Sequence, residues 1–164
     1  MHSQESDDFT AVRVVKSGTQ RLLASPDKVF PLLCPTREYD WIEHWRCQMI
    51  HSQSGFAELD CVFTTDFPHV GDETWVVSVY RPNEEIQFVR FNGQRTVRYT
   101  ITLADNGDGS TTAQWQQVLT GLDEAGNYQV EEISDAAYQQ KIADVERRLN
   151  HYLTTGQMLC ETPS

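Results

Sequence analysis

VEEISDAAYQQKIADVERRLNHYLTTGQML, residues 130–159, places Tyr138, Ile142, Val145, Leu149, Tyr152 and Leu153 at the three-and-four spacing of one helical face. Gln140, Asp144, Arg147 and His151 fall on the opposite side, and Lys141 and Arg148 flank the stripe, so the charged groups stay hydrated while the apolar ones are covered. Two starts are open. Asn127 can cap a longer helix with Glu131 and Glu132 in its first turns, or Ser134 a shorter one with Asp135 just inside, and both place carboxylates where the helix dipole favours them. Gly156 supplies the left-handed closing residue, after which Met158 and Leu159 fold back on the last turn. A stripe of roughly seven turns cannot stay bare in water, so the rest of the chain must offer it an apolar surface.

That surface is made of strands. From Trp45 onward, runs of period two alternate with turn signals and no crossover helices intervene, the pattern of an antiparallel meander. Six strands fit at 45–52, 57–65, 73–81, 85–91, 95–104 and 111–120, with turns at Ser54-Gly55, Pro68 to Gly71, Pro82-Asn83, Asn92-Gly93 and Asn106 to Gly109. Alternation sends Trp45, Cys47 and Met49 inward, then Leu59, Cys61 and Phe63, then Trp75, Val77 and Val79, then Val97, Tyr99, Ile101 and Leu103, then Ala113, Trp115 and Leu119. Arg46, Gln48, Asp60, Arg98, Thr100, Thr102 and Gln116 take the wet face. Upstream, residues 10–24 suit a long first strand, broken or bulged at Gly18. Ser25-Pro26-Asp27 then opens a short helix containing Val29, Phe30, Leu32 and Leu33, and a second brief helix follows from Thr36 to about Ile42. Residues 1–9 are polar and acidic and are expected to be a disordered tail, with residues 10–164 a single domain.

The net charge of −11, with 13 basic against 24 acidic residues, argues against nucleic acid and against anionic membrane surfaces as partners. No apolar run approaches a bilayer span, and the first ten residues lack the basic start and apolar stretch of a signal peptide, so a cytoplasmic location is expected. Cys34, Cys47, Cys61 and Cys160 show neither C-x-x-C pairing nor scaffold density, which makes reduced thiols the default.

Several segments carry a resemblance. Ala24-Ser25-Pro26-Asp27-Lys28-Val29-Phe30 looks like the A-S-P-x-x-V-F opening of a known first helix. Trp41, the meander with Trp75-Val76-Val77 and Tyr80-x-Pro82, and the ending Leu149-Asn150-His151-Tyr152-Leu153 follow in the same order. Over nearly its whole length the chain resembles the helix-grip superfamily of START-related lipid-transfer domains, the birch-pollen-allergen fold and polyketide cyclase/dehydratase-like proteins (SRPBCC). The resemblance implies an α+β fold, a seven-stranded curved antiparallel sheet around a long C-terminal helix, with two short helices after the first strand. It also implies a pocket between sheet and helix, and no catalytic residue is carried over from it.

The expected lining of that pocket is Trp45, Cys47, Met49, Leu59, Cys61, Phe63, Trp75, Tyr99, Ile101 and Trp115 from the strands, with Tyr138, Ile142, Val145 and Leu149 from the helix. The aromatic members can orient a ligand or simply fill the core. Gln117 shares the inward parity of Trp115 and is a candidate polar contact, whereas the face of Arg90 is left open by the ambiguous parity of residues 85–91. A hairpin turning about Ser54 would set Cys47 opposite Cys61, as a redox pair or nucleophile with His51 as base, or as two small apolar wall residues, the reading favoured here. Glu43, His44, Cys47, His51, Cys61 and His69 match no zinc spacing, and the calcium-like run Asp105 to Gly109 puts Ala104 in the first ligand position, so neither metal nor cofactor is expected. His151 is expected to be solvated or locally bonded. These observations together lead to a soluble binding protein for a small apolar molecule, such as a lipid, polyketide or aromatic compound. A cyclase/dehydratase- or hydrolase-type enzyme using the same cavity and a co-chaperone-like interaction module are the alternatives, and a homodimer is left open.

Overall fold

The computed structural model describes residues 8–161, so most of the expected tail lies outside the described residues. Strands β1 (Arg13–Leu22), β2 (Gln48–His51), β3 (Val62–Phe67), β4 (Gly71–Arg81), β5 (Glu85–Phe91), β6 (Arg95–Asp105) and β7 (Thr111–Gly121) form one seven-stranded sheet in the order β1-β7-β6-β5-β4-β3-β2. All its pairings are antiparallel. Helices α1 (Pro26–Val29), α2 (Glu124–Glu131) and α3 (Asp135–Thr155) complete it, with 3₁₀ turns over Phe30–Leu33 and Glu38–Asp40. This is the expected helix-grip arrangement.

Strand alternation sets the two faces. Along β7, Thr111, Ala113, Trp115, Gln117 and Leu119 are buried on the concave side while Gln114 is exposed, and β1 buries Lys16, Gly18, Gln20 and Leu22 in the same way. On α3, Tyr138, Ile142 and Leu149 are buried against that side with Val145, Tyr152 and Leu153 partly covered, each fully buried side chain contributing about 1.5–3 kcal/mol.

The helix also closes the sheet. β1 is an edge strand, with a row of backbone groups that no strand can satisfy. Side chains of α3 take those places: Gln139 donates to the Ser17 carbonyl (2.7 Å), the Arg21 N–H donates to Glu146 (2.7 Å), and Asn150 accepts from the Leu23 N–H (2.8 Å) while donating to the Arg21 carbonyl (3.0 Å). Gln20 donates back to the Ile142 carbonyl at 2.9 Å. Gly18 lies under this contact: a Cβ there would sit 3.0 Å from both Ile142 Cγ atoms. The β1–β7 register runs unbroken through Gly18, so the glycine serves close approach of the helix and not the expected bulge.

Other boundaries differ for local reasons. The segment before α3 splits in two because two caps compete. The Asp123 side chain accepts from the Gly126 N–H to start α2, which lays Val130 against Val97 and Leu119, and Ser134 accepts from the Ala137 N–H to start α3. Asn127 is therefore internal to α2, and the shorter of the two expected helices is the observed one. It closes at Gly156, φ 73°, as expected. The helix expected at 36–42 shrinks to one 3₁₀ turn, since Trp41 leaves the helical path to bury its ring and donate from Nε1 to the Leu32 carbonyl at 2.8 Å. A bulge after Val77 turns Val79 outward opposite Gln87 and Tyr80 inward opposite Ile86, reversing the expected parity at Val79.

Candidate functional site

The concave face carries a continuous aromatic layer. Phe63 stacks on Trp75 with ring centroids 5.2 Å apart, Phe88 meets Trp75 edge-on at 5.6 Å, and Tyr99 bridges Phe88 and Trp115 at 6.0 and 5.7 Å. Cys61, Ile101, Tyr138, Ile142 and Leu149 are buried in the same cluster, and Cys47, Met49 and Val145 pack partly against it. Most of the expected lining is thus gathered in one place, and much of that place is filled by rings.

Three expectations at the β2 end are corrected. Met49 pairs with Phe63, which moves the hairpin axis away from Ser54, so Cys47 and Cys61 are not opposite one another. Leu59 is 55% exposed, because residues 57–60 form a loop with Asp60 at φ 69° and not the inner face of a strand. Trp45 precedes β2, donates from Nε1 to the Pro35 carbonyl at 2.9 Å and tilts onto Phe67, apart from the main cluster. Burial raises the pKa of both the Cys47 and Cys61 thiols, which disfavours the thiolate that the nucleophile reading requires. His151 is half-buried on α3.

Polar groups enter the same interior. Arg90, opposite Trp75 on β4, points inward with its guanidinium 4.7 Å from the Trp75 ring and 5.7 Å from that of Tyr99. It donates to Gln117 at 3.3 Å and lies 3.6 Å from Glu73, whose carboxylate also pairs with Arg95 at 3.0 Å. Arg90 and Tyr99 rise from inner strands, and desolvation is the main cause lowering the pKa of the first and raising that of the second. Each nevertheless keeps accessible surface, 16% for the Arg90 side chain. Tyr138 faces them from α3, its phenol pushed up to about 12 by burial. Glu38, on the 3₁₀ turn, is held well above the usual carboxylate range by burial and, less strongly, by Cys34.

Arg90, Glu73, Arg95 and Glu38 were not among the expected lining. Val89 and Phe91 give the strand of Arg90 apolar residues on both parities, which hid its inward face. No periodic signal marks Glu38 on a single turn.

Two hollows open elsewhere. One of about 300 Å³ lies among Phe30, Cys34, Phe56, Tyr80 and Ile86, and one of about 370 Å³ along Arg46, Cys47, Thr65, Asp66 and Asp72. Of the expected lining residues only Cys47 borders either. Among the described residues no cluster of His, Cys, Asp and Glu has the geometry of a metal site.

No family model and no curated protein sequence matches this chain. Solved structures do. Norcoclaurine synthase from Thalictrum flavum superposes with a TM-score of 0.65 at 10% identity, covering 91% of this chain and 99% of that one. A START superfamily protein from Mycobacterium smegmatis gives 0.62 at 11% identity, over 87% and 99%. DynU16, from the dynemicin biosynthetic locus, gives 0.59 at 20% identity, and here the matched part is 87% of this chain but 48% of DynU16. At these identities the likeness is one of fold: the chain has the START-like helix-grip fold. No helix among the described residues is long and apolar enough to cross a membrane.

Proposed function

We propose that this protein binds a small, largely apolar molecule, aromatic in part, in the space between the concave sheet and α3. The observation that carries this reading is the accessible surface kept by Arg90 and Tyr99, two side chains on inner strands roofed by a helix. Around them lie the rings of Trp75, Phe88 and Trp115, buried against one another and against Tyr99, which makes the surroundings aromatic. The fold is shared with a norcoclaurine synthase solved in complex with dopamine and hydroxybenzaldehyde, both small aromatic molecules. We place the protein in the cytoplasm, where its four free cysteines would stay reduced. Incubation with a library of aromatic, polyketide and lipid compounds is expected to raise the melting temperature and quench tryptophan emission for a subset of them. Absence of both responses across the library, with nothing small carried through a gentle purification, sinks the reading.

Glu38 favours a second reading, an enzyme of cyclase, dehydratase or hydrolase type in the same space. A carboxyl whose pKa is raised by burial keeps its proton closer to neutral pH and is suited to act as a general acid. In that case Glu38→Gln abolishes turnover of a bound compound and leaves its affinity intact. Loss of affinity alone would assign Glu38 to binding.

A further inference from the structure

The polar atoms left without partners beneath α3 are mostly donors. Among buried side-chain atoms of the described residues, Arg90 Nε, Arg95 Nη2, Trp115 Nε1, the Tyr138 hydroxyl and Gln20 Oε1 have no hydrogen-bond partner. The first three only donate and the hydroxyl can donate, so the interior is short of acceptors. Arg95, Trp115 and Tyr138 are each more than nine-tenths buried, where an unmet donor is most costly.

Charge points the same way. Two guanidiniums, those of Arg90 and Arg95, share the single carboxylate of Glu73, whose side chain is 2% exposed, leaving one positive charge in excess. Glu38, half-buried on the 3₁₀ turn, is shifted toward its neutral form by burial. Lys141 stands one turn along α3 from Tyr138. The residue is exposed, desolvation and then the charges of Arg90 and Arg95 lower its pKa, and Asp144, already engaged by Arg147 and Arg148, acts in the other direction. In a chain of net charge −11, this space is locally basic.

We propose that the molecule held beneath α3 is a carboxylate, its acid group accepting from the accessible part of Arg90, its apolar or aromatic body beside Tyr99, and Lys141 at the rim. A guanidinium presents a planar fork of donors that matches a carboxylate, and the accessible part of Arg90 lets a ligand reach it. The trade is favourable because the ligand supplies the missing negative charge at the accessible part of Arg90. This rests on the binding reading above and specifies the class of ligand.

The test compares acids with neutral isosteres on the full chain by calorimetry: naphthylacetate against naphthylethanol, and decanoate against decanol. In at least one pair the acid is expected to bind about tenfold tighter or more, the share of one charge-assisted contact. Arg90→Met is expected to erase that preference while the alcohol still binds, and Arg90→Lys to restore part of it. Should Arg90→Met fail to fold, Lys141→Met is expected to narrow the acid–alcohol gap. Alcohols binding as tightly as acids would overturn the carboxylate proposal and leave the binding reading standing. No binding in either pair would overturn the carboxylate proposal, and only silence across the wider library would take the binding reading with it.

Discussion

Gly18 and Glu38 show how much one residue decides in this molecule. A methyl group at Gly18 meets Ile142 at 3.0 Å, a contact side chains do not tolerate without movement, so Gly18→Ala is expected to cost about 1–3 kcal/mol in urea denaturation. Ile142→Ala in the same chain removes the colliding atoms, and the double variant should lose less than the two single losses added. Glu38 acts through its proton. Its folded pKa lies above the ordinary value of 4.5, so the native state binds more protons than the unfolded one and stability falls as pH rises from that value through the folded pKa. Glu38→Gln is therefore expected to be more stable than the parent at alkaline pH. The difference should shrink on acidification and vanish below the unfolded value; denaturation curves across that window that stay parallel would refute it. Both effects were invisible in the sequence. Gly18 meets Ile142, which is remote in the chain, and Glu38 sits on an irregular turn whose surroundings no period records.

The elements were more legible, with a clear physical divide between those read well and those misread. Residues 85–91 and the closing turn at Gly156 match the structure because a turn or cap residue marks each boundary locally. The β2 region was misread because a bulge after Met49 and the loop at 57–60 break the two-residue period on which parity arguments rest. Helix α3 owes its position to backbone groups of β1 as much as to its apolar stripe. Asn150 holds both the Leu23 N–H and the Arg21 carbonyl. Its replacement by Ala is expected to cost about 1–3 kcal/mol and to speed amide exchange at Leu23 selectively. Unchanged exchange there would mean that the edge is held by packing alone.

For the molecule as a whole, sheet and helix share one core and neither is expected to persist without the other. A chain ending at Ile133 loses Tyr138, Ile142 and Leu149 from the core and exposes the concave aromatic layer and the free edge of β1 together. It should lack near-ultraviolet dichroism and a cooperative melting transition, whereas the full chain shows both. By itself the sequence determined the order of elements, the faces of most strands and the helix that grips them, because period, caps and turn residues act over a few positions. Tertiary structure alone decided what the grip encloses. The shared carboxylate of Glu73 and the inward turn of Arg90 arise across the paired strands β4, β5 and β6, and Glu38 lies on a turn outside any period, so no local pattern records which charges will meet there.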